Sequence, residues 1–127
     1  MAQKKSQILL VEDEFFLAET IKARLEFNDY EVFLAENGQE AIDGLSQHQV
    51  DLILMDVIMP ILDGLAATKK IRDSFSKETL PIIALTAKAR EEDRNEALTA
   101  GCNDYLCKPF EMDDLLLLIR KYLKKDP

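Results

Sequence analysis

Acidic, hydroxyl and amino side chains stand directly after the apolar runs of this sequence. Asp56 follows the most apolar run, LILM, and is itself followed by VIMP. Because a carboxylate is costly to bury in a core, an acid at this point is expected to serve chemistry rather than packing. Three other apolar runs end in the same way, and the groups that follow them are Glu12 with Asp13, Thr86 and Lys108. Four predicted strand ends therefore carry acids, a hydroxyl and an ammonium, and we interpret Asp56 as a reactive group.

The elements that must position these groups alternate along the chain. Short apolar runs alternate with segments of helical period, which is typical of an α/β domain with a parallel sheet. The runs predict strands at residues 7–11, 30–35, 52–55, 82–85 and 105–107. The periodic segments predict helices at residues 14–27, 38–47, 64–74, 91–100 and 112–124. The second strand is the more polar one, so we expect it at an edge of the sheet.

Capping residues also predict where several helices begin and end. Asn37 and Asp63 are typical N-cap residues at the starts of the second and third helices. Gly101 follows the fourth helix, where a residue in the left-handed conformation commonly ends a helix. These signals support the predicted alternation of elements.

An open parallel sheet binds its ligand outside the carboxyl ends of its strands. We therefore expect the groups at these strand ends to meet at one edge of the molecule. Three carboxylates about 5 Å apart would repel by roughly 3 kcal/mol per pair at an effective dielectric of about 20, so they require a cation. Their ligands are hard oxygens, which favours Mg²⁺. Zinc has no suitable set, because His48 is the only histidine and is predicted to lie on the surface.

Composition limits the class of protein. The 127 residues fit a single domain spanning 1–127, with flexible ends at 1–6 and 125–127. A net charge of -8 argues against direct nucleic-acid binding, which depends on a basic surface. No membrane span or signal segment is apparent, so we expect a cytoplasmic protein with no membrane insertion. Cys102 and Cys107 have neither metal-binding nor CxxC spacing and are expected to be reduced, structural thiols.

With these residues in view, the chain resembles the receiver domain of two-component response regulators over essentially all its length. The resemblance implies a doubly wound, flavodoxin-like α/β fold with strand order 2-1-3-4-5. It also implies a signalling module rather than an enzyme, catalysing only its own phosphorylation and dephosphorylation. The matching motifs are residues 8–13 (ILLVED), 52–60 (LILMDVIMP) with Asp63-Gly64, 84–87 (ALTA) and 105–110 (YLCKPF).

The resemblance assigns a role to each group. Asp56 would accept a phosphoryl group from a phosphohistidine on a histidine kinase or phosphotransfer protein. Mg²⁺ would be held by Glu12, Asp13, Asp56 and the backbone carbonyl of Ile58. Lys108, preceding Pro109 through a cis peptide bond, and the Thr86 hydroxyl would contact phosphoryl oxygens.

The resemblance also implies an output. Thr86 and Tyr105 would form a switch that remodels the surface of the fourth helix, fifth strand and fifth helix for a downstream effector protein. Tyr105 could instead be a half-buried strand residue. The fourth helix has few apolar residues, so it would be held loosely against the core, as suits an element that moves.

Several positions leave alternatives open. Ile58 and Lys88 would flank the water that hydrolyses the phosphoaspartate, and an apolar Ile58 predicts slow self-dephosphorylation. Phe15 and Phe16 either serve partner docking or pack inward in part. The fifth helix is rich in leucine, so Leu116 or Leu117 could form a weak homodimer or effector contact, or be buried.

Rival functions fit the sequence less well. A phosphatase with an aspartate nucleophile needs a second Asp at the position that Ile58 occupies. A flavodoxin-like cofactor binder is also disfavoured, because the acids that follow the first strand would repel the phosphate of FMN. A non-phosphorylated scaffold and a receiver excised from a hybrid histidine kinase remain alternatives. The span from Met1 to Pro127, ending after the fifth helix, favours a stand-alone receiver of the chemotaxis or phosphorelay type.

Overall fold

The computed structural model describes residues 4–123, which alternate between strands and helices. All strands pair in parallel in the order β2-β1-β3-β4-β5, so the predicted fold class, order and edge position of the second strand are confirmed. The elements, in chain order, are β1 (Gln7–Val11), α1 (Phe15–Phe27), β2 (Glu31–Ala35), α2 (Gly38–Gln47), β3 (Leu52–Asp56), α3 (Gly64–Arg72), β4 (Ile82–Thr86), α4 (Glu91–Ala100), β5 (Asp104–Cys107) and α5 (Met112–Tyr122).

Several predicted element ends were wrong by one or two residues. Glu14 caps α1 rather than joining it, since its carboxylate accepts a hydrogen bond from the Leu17 amide at 3.0 Å. Tyr30 precedes β2 because its amide donates to Leu25 O and so closes the end of α1. The third helix ends at Arg72 instead of residue 74.

The strands reach slightly further than predicted. β3 and β4 include the polar residues Asp56 and Thr86 as their last members, and β5 begins one residue earlier, at Asp104. The predicted end of the fifth helix at residue 124, the tail 125–127 and residues 1–3 of the predicted N-terminal segment lie outside the described residues.

The predicted helix signals are confirmed in atomic detail. Asn37 Oδ1 accepts a hydrogen bond from the Glu40 amide at 2.9 Å, and Asp63 Oδ1 accepts one from the Ala66 amide at 2.8 Å. Gly101 has φ of 119°, which a residue with a Cβ rarely adopts. These caps fix where α2 and α3 begin and where α4 ends.

Two hydrophobic clusters cover the two faces of the sheet. Alternate residues of β1, β3 and β4 face α1 and α5 on one side and α2, α3 and α4 on the other. The central strands are buried on both faces, as the continuous apolar runs predicted. On α5, Leu116 is buried against this core, whereas Leu117 is 61% exposed. Only Leu117 of this pair is therefore free for a contact with another molecule.

Arg72 connects the end of α3 to the segments that precede β4 and β5. Its guanidinium donates to the carbonyls of Gly101 and Leu80, each at 2.8 Å, and to Asn103 Oδ1 at 2.9 Å. It also donates to the carbonyls of Phe75 and Ser76. Burial lowers the pKa of Arg72, but each of its three side-chain nitrogens donates to at least one acceptor. This network ties the ends of three elements at the side of the sheet opposite the strand carboxyl ends.

The single histidine and the two cysteines lie outside the cluster of strand-end groups. His48 is exposed, as predicted, and its ring stacks on Phe33 with centroids 3.8 Å apart. Cys102 is buried and Cys107 is half-buried, both as free thiols. Within residues 4–123 there is no helix whose length and apolar character would let it cross a membrane.

Candidate functional site

Three carboxylates converge where β1 and β3 end. Carboxylate oxygens of Glu12, Asp13 and Asp56 all lie within 4.8 Å of one another, which confirms the proximity expected from the strand ends. Glu12 and Asp56 are buried, with 3% and 4% of their surface exposed, while Asp13 is exposed at the opening. β1 and β3 are hydrogen-bonded neighbours, and this pairing places the acids side by side.

Lys108 brings a positive charge to the carboxylates from the end of β5. Its Nζ lies 2.7 Å from Glu12 Oε1 and 3.3 Å from Asp56 Oδ2. The Lys108 amide donates to the Thr86 carbonyl at 2.8 Å, so the lysine backbone is held against the end of β4. The Lys108–Pro109 peptide bond is cis, as expected. The predicted lysine is therefore in the pocket, paired with two of its acids.

The electrostatics of Asp56 reflect this crowding. Burial and the negative charge of Glu12 raise the pKa of Asp56 from 3.8 to about 6, against the opposing effect of Lys108 and of the Ile58 amide. That amide donates to Asp56 Oδ1 at 3.2 Å. Burial alone would lower the pKa of Lys108, but its hydrogen bond to Glu12 and the charges of Asp56 and Glu12 raise it. Negative charge is thus in excess at the pocket.

The donor set suits a hard divalent cation. Glu12, Asp13 and Asp56 form the one group of at least three metal-ligating side chains among residues 4–123, and all of its ligand atoms are oxygens. One ammonium faces three carboxylates, so a bound cation would offset charge that the protein leaves unbalanced. The residues present therefore fit Mg²⁺.

Thr86 lies at the end of β4, next to β3 in the sheet. It is 1% exposed, and its Oγ1 accepts a hydrogen bond from the Lys88 amide at 3.2 Å. Since that contact uses Oγ1 as an acceptor, the hydroxyl proton is available for another oxygen. Tyr105, on the adjacent strand β5, is half-buried and packs against the cluster that includes α3 and α4.

The loop after β3 brings the start of α3 directly against the end of that strand. The Gly64 amide donates to the Val57 carbonyl at 3.0 Å, and a Cβ on Gly64 would overlap the Asp56 carbonyl oxygen. Glycine at this position lets α3 start directly against the backbone of Asp56. In the same loop Ile61 has φ of 70°, a strained value for a β-branched residue.

Exposed apolar side chains follow the acidic residues at the start of α1 and in the loop after β3, and we call them the apolar rim. The rim comprises Phe15 (65% exposed), Phe16 (77%), Ile58 (54%) and Ile61 (83%). The rings of Phe15 and Phe16 meet edge to face with centroids 5.5 Å apart. The alternative that one of these phenylalanines packs inward was wrong, because the inward stripe of α1 is supplied by Ala18, Ile21 and Leu25.

An apolar cavity lies beside the pocket, between α1 and the segment that joins β5 to α5. Its volume is about 470 Å³, and its walls include Leu17, Ile21, Pro109, Phe110 and Met112. Lys108 also lines it, so the cavity adjoins the charged site directly.

Some features of the site could not be found by reading the sequence. The pairing of Lys108 with Glu12 depends on an approach between residues 96 positions apart. The strain at Ile61 has no signal, because isoleucine does not favour positive φ. The role of Gly64 had a partial signal, since it follows the predicted cap Asp63.

The chain is similar in sequence to a known protein family and to curated proteins of that family. The family model described as "Response regulator receiver domain" matches residues 8–120. The chain is 39% identical over 119 residues to the response regulator MprA of Mycolicibacterium vanbaalenii, covering 94% of this chain and 51% of that protein. It thus spans about half the length of that relative.

Solved structures of similar fold cover nearly the whole chain. The receiver domain of sensor histidine kinase PA1611 from Pseudomonas aeruginosa, which has a magnesium ion coordinated in its active site cleft, matches with a TM-score of 0.86 and 39% identity, covering 96% of this chain and 100% of that one. Chemotaxis protein CheY4 of Vibrio cholerae matches with a TM-score of 0.88 and 28% identity, covering 94% of this chain and 100% of that one.

Proposed function

The chain belongs to the response regulator receiver domain family, and from that membership we propose that Asp56 accepts a phosphoryl group from a phosphohistidine on a partner protein. The observation that carries the proposal is the pocket itself. A buried carboxylate lies within 4.8 Å of two further acids and 3.3 Å from an ammonium group. This arrangement offers a nucleophile, a cation site and an anion-binding group at one place.

The transfer requires one bond exchange. The Asp56 carboxylate oxygen forms a bond to phosphorus while the bond from phosphorus to the imidazole nitrogen breaks, and the imidazole keeps the electron pair and takes up a proton. Positioning and charge neutralisation supply nearly all the catalysis for such a loose transition state. Glu12, Asp13, Asp56 and the Ile58 carbonyl would hold Mg²⁺, which when bound neutralises charge on the transferring group.

The remaining groups would bind the phosphoryl oxygens. The Lys108 ammonium already lies 3.3 Å from Asp56 Oδ2, so a small movement away from Glu12 suffices to pair it with a phosphoryl oxygen. The Thr86 hydroxyl donates to a second oxygen, and this movement of Thr86, together with Tyr105, carries the signal to the surface formed by α4, β5 and α5. The downstream effector binds that surface.

The apolar rim suits the docking of the phosphohistidine-bearing partner. Large exposed apolar groups around an acidic pocket provide contact area without adding to the negative charge at the centre. A helix that presents its histidine between apolar residues would place the phosphoryl group over Asp56 while covering Phe15, Phe16 and Ile61.

Ile58 favours a long-lived phosphoaspartate. Its side chain is exposed beside the pocket and has no polar atom with which to orient an attacking water. Replacing Ile58 with Asn or Glu is expected to shorten the half-life of the phosphorylated protein, with Ile61→Asn as the control at a nearby rim position. A wild-type half-life of seconds, or one unchanged by both substitutions at Ile58, would contradict this role.

The setting of the span within a signalling pathway is a further proposal. The match to a receiver from a sensor histidine kinase and the match to a chemotaxis protein both cover their counterparts completely, so similarity supports both settings. Relatives such as MprA are about twice as long as the matched region. We expect the receiver to act through protein binding in either setting.

Phosphotransfer profiling tests the proposed function. Wild type, Asp56→Asn and Asp13→Asn are incubated with a panel of phosphorylated histidine kinases and phosphotransfer proteins, with Mg²⁺ and with EDTA. We expect label on the wild type alone, and only with Mg²⁺. Equal labelling of wild type and Asp56→Asn would refute the proposal.

A further inference from the structure

Gly38, the first residue of α2, makes a close backbone contact with the loop that follows β3. Its amide donates to the Leu62 carbonyl at 2.9 Å. Among the described residues this is the one backbone–backbone hydrogen bond that joins residues 58–62 to a distant part of the chain. A Cβ on Gly38 would lie 2.5 Å from the Leu62 oxygen and 2.8 Å from the Ala67 Cβ. The contact therefore leaves no room for a side chain at Gly38.

The turn that leads into α2 is also bonded to the end of β1. The Glu12 amide donates to the Ala35 carbonyl at 2.9 Å, which extends the pairing of β1 with β2 as far as the pocket. Residues 35–38 therefore contact two segments that carry proposed magnesium ligands. One segment holds Glu12, and the other is the loop that begins beside Ile58. We call residues 35–38 the β2–α2 clamp.

The clamp is held rigidly by its own hydrogen bonds. Asn37 is buried, and its side chain accepts from the Glu40 amide at 2.9 Å. The Glu40 carboxylate in turn accepts from the Glu36 amide at 2.9 Å. Paired bonds of this kind fix the first turn of a helix. The start of α2 is therefore held in place where it meets the loop.

The loop after β3 is constrained in its turn. The Pro60 ring fixes its own φ, and the Pro60 carbonyl accepts from the Leu62 amide at 2.8 Å. This bond encloses Ile61, whose φ of 70° is typical of the rare and strained γ-turn. Because residues 60–62 form one tight turn, a displacement of Leu62 is passed back along the loop toward Ile58.

We propose that Gly38, through its contact with the loop after β3, sets the spacing between Glu12 and the Ile58 carbonyl and so is a positioning residue for Mg²⁺. The inference rests on the proposed function, which supplies these ligands. Mg²⁺ requires nearly octahedral coordination at about 2.0–2.1 Å, so it tolerates little change in the spacing of its ligands.

A side chain at Gly38 would alter that spacing whichever segment moves. Ordinary contact begins at 3.4 Å, so a Cβ at Gly38 and the Leu62 oxygen must separate by about 1 Å. If the loop moves, it carries the Ile58 carbonyl with it. If the clamp moves instead, its hydrogen bond displaces the backbone of Glu12. Both movements change the distance between two ligands of the same ion.

A Mg²⁺ titration followed by backbone amide NMR signals tests the inference without phosphorylation. Gly44→Ala is the matched control for Gly38→Ala, because it makes the same change in the same helix, where a Cβ would meet only the Leu9 side chain at 3.8 Å. We expect Gly38→Ala to bind Mg²⁺ about tenfold more weakly, as is typical when the support of metal ligands is lost, and Gly44→Ala to stay within about twofold of wild type. Without metal, the Ile58 or Glu12 amide signal should shift in Gly38→Ala alone.

Three further measurements separate positioning from a general loss of stability. Ca²⁺ accepts longer and more varied ligand distances, so Gly38→Ala should weaken Ca²⁺ binding by less than about threefold. Ala67→Gly removes a buried methyl group and places glycine inside α3, so it should lower stability in urea but leave Mg²⁺ affinity unchanged. The double variant Gly38→Ala/Ala67→Gly keeps only the overlap with the Leu62 carbonyl, and its Mg²⁺ affinity should be as low as that of Gly38→Ala. It also provides the measurement should Gly38→Ala alone fail to fold.

The inference is overturned if Gly38→Ala binds Mg²⁺ as tightly as wild type, or if it weakens Mg²⁺ and Ca²⁺ binding by the same factor. It is equally overturned if Ala67→Gly weakens Mg²⁺ binding as much as Gly38→Ala does. A wild type that binds no Mg²⁺ would overturn the proposed metal site and this inference together. Binding of Mg²⁺ with the expected loss in Gly38→Ala, but with no phosphorylation of Asp56, would contradict the proposed function alone.

Discussion

Replacing Asp56 with Asn should stabilise the metal-free protein near neutral pH. The pKa of Asp56 rises from 3.8 to about 6 on folding, chiefly through burial and the charge of Glu12. A group with a raised folded pKa stabilises the fold fully below its unfolded pKa, and this contribution is lost as the pH rises through the folded pKa. A difference of one in pKa corresponds to about 1.36 kcal/mol, so the ionised Asp56 carboxylate lowers the free energy of unfolding by at most about 3 kcal/mol above pH 6. Asparagine removes that cost.

Urea unfolding in EDTA measures the difference between the two proteins. We expect Asp56→Asn to gain about 2 kcal/mol at pH 7.5 and to approach wild type at pH 4, where Asp56 is protonated in the folded state. Asp13→Asn, which changes the exposed acid of the same cluster, serves as control and should gain less. A variant that is less stable than wild type at pH 7.5, or that gains equally at both pH values, would refute this account of the pocket.

Three further predictions concern other parts of the molecule. Ile61→Gly should raise the free energy of unfolding by about 1 kcal/mol, because glycine adopts a φ of 70° without strain, whereas Ile58→Gly should lower it. An equal loss of stability in both variants would contradict the strain at Ile61. Arg72→Met should cost about 3 kcal/mol in urea unfolding because the carbonyls around it lose their donor, and the exposed Lys69→Met should cost under about 0.5 kcal/mol. Phe16→Ser should slow phosphotransfer from a phosphohistidine protein about tenfold but leave phosphorylation by the small donor phosphoramidate unchanged. Slower phosphorylation by both donors would argue against docking of the partner protein on the apolar rim.

The sheet and its edge were predictable because their signals are local. Continuous apolar runs specify strands that are buried on both faces, and the carboxyl ends of parallel strands share one edge. Asp56, Glu12 and Asp13 could therefore be placed together before any distance was known. The caps at Asn37 and Asp63 were equally legible, since short polar side chains accept from nearby amides.

What could not be predicted depends on contacts between distant segments. The Arg72 guanidinium donates to Gly101 and Asn103, which lie 29 and 31 positions away and which only the packed fold brings close. The choice between Leu116 and Leu117 depends on the rotation of α5, which a run of leucines does not specify. The burial of the Tyr105 hydroxyl depends in the same way on where α4 lies.

The most direct test of the central claim is the mass of the intact protein after treatment with phosphoramidate, followed by location of the modified residue. We expect wild type with Mg²⁺ to gain one phosphoryl group on Asp56, and we expect no gain for wild type in EDTA or for Asp56→Asn. Lys108→Met should be phosphorylated more slowly, since its ammonium lies beside the accepting carboxylate. A phosphoryl group found on any other residue, or a gain that persists in Asp56→Asn, would contradict the account.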